Sequence, residues 1–215
     1  GYGWAESSFD NPSDVFANTL NVYVSDKNNN RIQLFDKDLN FLSQFSTQSS
    51  NNETQTFRYP ISSAVSTQGD LFILDSDNNR ILKYNARGEF QVAIGGYDAG
   101  SFSLITPIQF SITNTKILVL DSQFLVLFDQ FGNGIKKIKL AFVPDNINYA
   151  FRNVCINDKS QIVFIDETNI ESGSFIPVRF LTKPEEEIID AIIFNAKLYL
   201  LTKNSIMIYK IASRD

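Results

Sequence analysis

Two pairs of opposite charges stand at the same spacing in two similar stretches of the chain. Asp26 is followed five residues later by Arg31, and Asp75 is followed five residues later by Arg80. A carboxylate beside a guanidinium can take part in acid–base chemistry, or it can form a structural ion pair. Because the pair returns in successive copies, we interpret it as a structural motif, since catalytic groups would converge at one place. A third copy keeps only the carboxylate, Asp121.

Histidine is absent from the 215 residues, and the chain has a single cysteine, Cys155. Within this sequence, the lack of histidine excludes a Ser-His-Asp triad, a histidine general base and a histidine-bearing zinc site. One cysteine forms no intramolecular disulfide and no CxxC site. We expect Cys155 to be a small buried apolar side chain in the inner strand of the fourth repeat unit.

The charged pairs belong to a longer internal repeat. Residues 21–36, NVYVSDKNNNRIQLFD, return 49 residues later as DLFILDSDNNRILKYN, and residues 116–133 form a weaker third copy. An aromatic residue and then a proline precede each copy: Phe9 with Pro12, Phe57 with Pro60, and Phe102 with Pro107. Two later units, around Asp166 and at the end of the chain, keep only the spacing of short apolar runs. Five units in 215 residues indicate a repeat architecture.

Short apolar runs rich in branched and aromatic residues, such as NVYV, LFIL and KILVL, predict β-strands. Nearly continuous apolar runs indicate that both faces of each sheet are covered. Each unit therefore predicts four short antiparallel strands, and units of about 43 residues are typical of β-propeller blades. The sequence predicts an all-β fold, a five-bladed propeller that forms a single domain over residues 1–215.

The first two units resemble NHL repeats. The first reads FxNPSDVxxxxxNVYVSDxxNNRIQLFD, and the second reads YPISSAVSTQGDLFILDSDNNRILKYNARGEF. The resemblance is specific for units one and two, weaker for unit three, and limited to rhythm in units four and five. It implies a propeller of NHL type, as in bacterial NHL-repeat proteins. It implies no particular activity, because that family includes hydrolases, lyases, RNA binders and scaffolds.

The last unit supplies only three strands before the chain stops. The opening residues, GYGWAESSFDNP, align with residues 95–107, which follow an outer strand. A strand upstream of Gly1 would therefore close the last blade and could serve as a tether to a membrane anchor. A three-stranded last blade is the alternative, and the sequence leaves both open.

The inner strands of a propeller meet at its axis, so polar groups at their starts could form a binding site. Counting two residues past each proline, and taking the analogous positions of the last two units, gives five polar side chains: Asp14, Ser62, Gln109, Asn153 and Asp190. Asp14 and Asp190 would approach each other where the ring closes. Two carboxylates with amide oxygens nearby suit calcium or magnesium, and some NHL-like lactonases hold a divalent cation in this way. A polar, water-filled channel without a cofactor is the alternative that we favour.

The net charge of −5 and the pI of about 4.8 disfavour nucleic acid as a partner. The chain has no transmembrane run and no signal peptide, but it starts at Gly1, so this does not indicate a cytoplasmic location. We expect a bacterial protein that is exported to the periplasm or cell surface. Two functions remain: a non-enzymatic protein-binding or scaffold module, which we favour, and a divalent-metal-dependent hydrolase or lactonase.

Overall fold

Nineteen β-strands make up the regular structure of the computed structural model, which describes residues 1–50 and 52–211. They form five antiparallel sheets, here called blades 1 to 5 in chain order. Blade 1 contains β1 (Pro12–Ala17), β2 (Asn21–Asp26), β3 (Arg31–Asp36) and β4 (Phe41–Phe45). Blade 2 contains β5 (Pro60–Val65), β6 (Leu71–Asp75), β7 (Arg80–Tyr84) and β8 (Phe90–Ile94). Blade 3 contains β9 (Pro107–Ile112), β10 (Lys116–Asp121), β11 (Phe124–Asp129) and β12 (Gly134–Lys139).

Blades 4 and 5 have shorter outer parts. Blade 4 contains β13 (Asn146–Ala150), β14 (Asn153–Asn157), β15 (Ile162–Asp166) and the two-residue β16 (Ile176–Pro177). Blade 5 contains β17 (Ile188–Phe194), β18 (Lys197–Thr202) and β19 (Ile206–Lys210), and within the described ranges it has no fourth strand. In every blade, each strand pairs with the next strand along the chain. The predicted all-β, five-bladed propeller is therefore confirmed.

Apolar side chains between neighbouring blades form the core. Leu118 and Leu120 of β10 belong to the buried cluster shared with blade 4, whereas Ile117 and Val119 belong to the cluster shared with blade 2. The two faces of β10 are thus covered by different blades, which explains why its sequence is continuously apolar instead of alternating.

An aromatic side chain from each of the first three segments that lead into the blades packs against its own blade. The Phe57 ring lies 6.0 Å from Phe45 of blade 1 and 6.4 Å from Tyr84 of blade 2, measured between ring centroids. Phe9 lies 6.1 Å from Phe35, and Phe102 lies 6.2 Å from Phe128. The repeated aromatic–proline pair therefore marks the approach to an inner strand.

The sequence-based assignment of the fourth unit was wrong. Asn153 and Cys155 lie in β14, the second strand of blade 4, and Asp166 ends the third strand instead of the second. The inner strand is β13, whose sequence NINYA contains two asparagines and lacks the continuous apolar run of a second strand, because an inner strand borders the polar channel. The aromatic–proline rule would have found it, since Phe142 and Pro144 precede β13 and two residues past Pro144 is Asn146.

A seam separates blade 5 from blade 1. Among the described residues, four buried apolar clusters join blade 1 to 2, 2 to 3, 3 to 4 and 4 to 5, and none of them joins blade 5 to blade 1. Large apolar side chains next to the seam are exposed, among them Val15 of β1 and Ile206 and Ile208 of β19. Among the described residues, none of the helices has the length and apolar character that are needed to cross a membrane.

Candidate functional site

The repeated Asp–Arg pair is a buried ion pair that holds the segment leading into its own blade. In blade 1, Arg31 Nε lies 2.8 Å from Asp26 Oδ2, and both side chains are almost fully buried. The two Nη atoms of Arg31 donate to the carbonyl oxygens of Trp4 and Ser8, each at 2.8 Å. Asp26 Oδ1 accepts a hydrogen bond from the backbone N–H of Asp10 at 2.8 Å. The pair thus binds main-chain groups of residues 1–11.

Blade 2 repeats this arrangement. Arg80 Nε lies 2.9 Å from Asp75 Oδ2, and Arg80 Nη2 donates to the carbonyl oxygens of Glu53 and Thr56 at 3.0 and 2.9 Å. Asp75 Oδ1 accepts from the N–H of Arg58 at 3.0 Å. These contacts support the interpretation that the motif positions loops instead of performing chemistry.

Blade 3 keeps the aspartate of this ion pair and lacks the arginine. Asp121 is buried and its Oδ1 accepts from the backbone N–H groups of Ile105 and Thr106 at 3.0 and 2.6 Å. The carboxylate alone therefore fixes the turn into the inner strand, which explains why the copy without arginine still forms a blade.

Four of the five predicted channel residues occupy one level of the inner strands. Each of them pairs with the penultimate residue of the second strand in its own blade. These four residues are Asp14, Ser62, Gln109 and Asp190. Asn153 does not belong to this set because it lies in β14. On β13 that level is Ile147, opposite Ile156, and the polar side chain nearest to it at the start of the strand is Asn146, opposite Asn157, which sequence reasoning missed.

Hydrogen bonds link these side chains across the blades. The Ser62 hydroxyl donates to Asp14 Oδ2 at 2.6 Å, which joins blades 2 and 1. Asp190 Oδ1 accepts from Asn146 Nδ2 at 2.5 Å and also from Asn148 Nδ2, which joins blades 5 and 4. Gln109 Oε1 accepts from the N–H of Ile147 at 2.7 Å, which joins blades 3 and 4.

Burial dominates the electrostatics of the two channel carboxylates. Desolvation raises the pKa of Asp14, and the hydrogen bond from Ser62 partly opposes it. Desolvation also raises the pKa of Asp190, and the nearby charge of Asp14 raises it further. The two carboxylates are therefore close enough to repel each other.

The donor set around Asp190 does not match a cation site. Asn146 and Asn148 present their NH₂ groups to the carboxylate, whereas a cation would require their oxygen atoms. Within residues 1–50 and 52–211, no group of three or more His, Cys, Asp or Glu side chains is arranged to share a metal ion. Burial raises the pKa of the Cys155 thiol to about 12, so this cysteine is not an activated nucleophile.

The segments that lead into the five inner strands lie at one end of the propeller, because all inner strands run in the same direction from that end. We call them the lead-in loops: residues 1–11, 46–50 with 52–59, 95–106, 140–145 and 178–187. Every one exposes at least one large apolar side chain, with exposed fractions between 45% and 108%. These side chains are Tyr2, Trp4, Tyr59, Tyr97, Ile105, Val143 and Leu181. Sequence reasoning missed this surface, because exposure is a property of the folded chain.

Tyr59 shows how one of these side chains is held outward. Its backbone has a φ of +48°, a conformation that is rare and costly for a bulky residue. The N–H of Tyr59 donates to Asn30 Oδ1 at 2.7 Å, and its carbonyl accepts from the Ser76 hydroxyl at 2.6 Å. The ring borders a cup of about 570 Å³ that is also lined by Glu53 and Arg58. Gln48, Ser50 and Thr56 of the same lead-in loop also line this cup.

A second concavity, of about 280 Å³, lies at the opposite end, between blades 1 to 4. Its cations are already paired. Lys83 Nζ lies 2.9 Å from Asp70 Oδ2 and 5.4 Å from the centre of the Phe72 ring, and Lys116 Nζ lies 3.2 Å from Glu171 Oε1. This groove therefore offers no free charge to a ligand.

Comparisons with known proteins agree with the NHL-type propeller. No protein-family model matches the sequence. Protein brain tumor of Drosophila melanogaster, an NHL repeat protein, is 30% identical over 141 residues, which make up 63% of this chain. The chain spans 13% of that protein's length.

Solved structures extend the likeness to nearly the whole chain. Virginiamycin B lyase from Staphylococcus aureus has a TM-score of 0.61 and 14% identity, with 94% of this chain and 70% of that chain covered. A catalytically inactive histidine-to-alanine variant of the same lyase, with quinupristin, has a TM-score of 0.60 and 14% identity over 94% and 71% of the two chains. Such low identities show the fold alone, and the molecule is a β-propeller that is similar in sequence to an NHL repeat protein.

Proposed function

We propose that this chain is a non-enzymatic protein-binding or scaffold module and that the lead-in loops form its recognition surface. The observation that carries the proposal is the set of seven exposed large apolar side chains, to which all five loops contribute. Protein interfaces are enriched in aromatic residues, and large exposed apolar patches mark interaction sites. At the opposite end, the described turns expose four such side chains, and only blades 1, 3 and 4 contribute them: Leu20, Leu39, Phe131 and Phe151.

The charge of the lead-in loops indicates the kind of partner. The five loops carry eight acidic and three basic residues. An acidic, apolar surface suits a protein with an apolar contact patch and a basic rim, because complementary charge steers association. The same charge disfavours nucleic acid, whose phosphates require basic residues.

Three observations favour a binding role over catalysis. The 215 residues contain no histidine, whereas the compared lyase has a catalytically inactive histidine-to-alanine variant. Asp190 is already hydrogen-bonded by two amide groups, and Asp14 by a hydroxyl. These partners stabilise the carboxylates and compete with a cation for their oxygen atoms. No contact described in the channel therefore favours the hydrolase or lactonase alternative.

The test compares two matched pairs of surface substitutions during native purification. Trp4→Ser with Tyr97→Ser alters the lead-in loops, and Leu20→Ser with Phe131→Ser alters the opposite end. All four side chains are exposed, so both variants should retain the wild-type melting temperature. We expect the proteins that co-purify with wild type to be lost from the first variant and kept by the second. Retention by the first variant would show that the partner binds elsewhere.

We also propose that the protein acts outside the cytoplasm, as the sequence led us to expect. Subcellular fractionation of the source cells tests this directly. Recovery in the cytoplasmic fraction would contradict the proposal.

A further inference from the structure

The concavity of about 280 Å³ at the end opposite the lead-in loops continues the wall of the channel. Phe16, Ser111 and Tyr149 line it, and each stands two residues after the channel level, the level of Asp14 and Gln109, on its own inner strand. Residues two apart on a strand point to the same face. The turns between the first and second strands of blades 1, 2 and 3 form the rim. We call this site the distal pocket.

Every charged side chain that lines the distal pocket is paired within the protein. Lys83 Nζ lies 2.9 Å from Asp70 Oδ2 and 3.5 Å from the carbonyl oxygen of Gln130. Lys116 Nζ lies 3.2 Å from Glu171 Oε1. A charged ligand would lose its hydration here and find no unpaired countercharge. The pocket therefore favours a neutral ligand.

The same pocket has many neutral polar side chains that can still form hydrogen bonds. The Ser111 hydroxyl on the wall has no hydrogen-bond partner among the described residues. The same holds for four side chains of the rim, which are Thr67, Gln68, Asn114 and Gln130. A hydroxyl both donates and accepts, and a side-chain amide offers two donors and an acceptor. This set matches a ligand that itself carries several hydroxyl groups.

Aromatic rings supply the apolar part of the pocket. Phe72 and Ile117 are buried beneath it, and the rings of Phe16 and Tyr149 are half-buried at its wall. The face of an aromatic ring is negative, so it attracts the weakly positive C–H groups on one side of a sugar ring. The volume lies just below the range of about 300–1,000 Å³ that is usual for drug-sized ligands. The pocket is therefore suited to a ligand of one ring.

We propose that the distal pocket binds a neutral sugar, either as a free monosaccharide or as the terminal sugar of a glycan. The aromatic wall contacts the face of the sugar ring, and the hydroxyl and amide groups bind its hydroxyls. This site is separate from the proposed protein-binding surface, because the lead-in loops lie at the other end of the propeller. A dissociation constant on the order of 1 mM is expected for so small a ligand.

Saturation-transfer difference NMR of the full chain tests the ligand class. The probes are the neutral methyl glycosides of glucose, galactose, mannose and N-acetylglucosamine, with methyl glucuronide and methyl galacturonide as charged counterparts and adenine as a flat aromatic control. At least one neutral glycoside should bind, and the two uronides should bind at least tenfold more weakly. Binding of none of the neutral glycosides overturns the proposal. Equal binding of the uronides, or binding of adenine alone, overturns it as well.

Substitutions in the wall test the location. Ser111→Val removes the hydroxyl and fills space, and Tyr149→Leu removes the ring, so each should weaken binding at least tenfold. Tyr149→Phe keeps the ring and should stay within about twofold of wild type. Trp4→Ser with Tyr97→Ser changes only the lead-in loops and should leave sugar binding unchanged. Wild-type affinity in Ser111→Val, or in a folded Tyr149→Leu variant, overturns the assignment to this pocket.

A disaccharide that carries the preferred sugar at its non-reducing end distinguishes the two sources. Affinity equal to that of the methyl glycoside supports the terminal sugar of a glycan. Binding of the monosaccharide alone supports a free sugar, since the pocket then closes around a single ring.

Discussion

The Ser62 hydroxyl donates a 2.6 Å hydrogen bond to Asp14 Oδ2 and so ties the inner strands of blades 1 and 2 at the channel. Ser62 is buried, and the Asp14 carboxylate is desolvated. This single neutral donor is the side-chain group that most favours the charged form of Asp14.

Ser62→Ala should therefore lower the free energy of unfolding by about 1–2 kcal/mol at neutral pH, because a desolvated carboxylate loses its donor. Chemical denaturation of wild type and variant measures the loss. Ser111→Ala is the control, since the Ser111 hydroxyl on inner strand β9 has no hydrogen-bond partner among the described residues. An equal loss in both variants would show that the Ser62 bond contributes nothing specific.

Asp190→Asn should leave stability unchanged or increase it at pH 7, with a rise in Tm of up to about 3 °C. The folded-state pKa of Asp190 is raised above 3.8, so the folded protein binds the proton more tightly than the unfolded chain. Its contribution to stability therefore falls as pH rises above 3.8 and returns on acidification.

The measurement is the difference in Tm between this variant and wild type as a function of pH. Carboxylates whose pKa values are lowered, such as Asp129 and Asp158, have the opposite pH dependence, but they are common to both proteins and cancel. The advantage of the variant should vanish below pH 3.8. A large loss of stability at pH 7 would indicate that the charge is needed.

Excess chelator should not change the Tm of the wild type, because we favour a channel in which Asp14 and Asp190 are held by protein groups. A cation bridging them would stabilise the folded state by mass action. Thermal melts of wild type and Asp190→Asn, each with and without chelator, separate the two cases. A drop of several degrees in the wild type alone would establish a divalent ion at this site.

Arg80→Ala should lower the free energy of unfolding by about 1–3 kcal/mol, because buried Asp75 loses its charged partner. Arg87→Ala removes an exposed arginine from the same blade and should have little effect. Partner binding should weaken only in proportion to the loss of folded protein. Wild-type stability combined with lost binding would show that Arg80 contacts the partner directly.

The sequence was sufficient where the relevant interactions are local. Asp26 and Asp75 predicted their strand ends because the carboxylate, the turn and the arginine lie within a few residues of one another. Blade 4 was misassigned because its inner strand faces a polar channel and is rich in asparagine. The apolar run around Cys155 was therefore taken as the inner strand, although it is the second strand. The exposed side chains of the lead-in loops and the seam were not predicted, since both depend on how the blades pack.

The buried Asp and Arg residues of blades 1 to 3 contact the lead-in loops through main-chain atoms. Arg31 and Arg80 donate to carbonyl oxygens in the loops, and Asp26, Asp75 and Asp121 accept from backbone N–H groups there. Every amino acid supplies a carbonyl, and every residue except proline supplies an N–H. Apart from Phe9, Phe57 and Phe102, which pack against the blades, the exposed side chains of these loops can therefore be replaced without changing the backbone attachment. An antibody framework carries its hypervariable loops in a similar way. The propeller is in this sense a platform on which new binding specificities can evolve or be engineered by substitution of exposed loop residues.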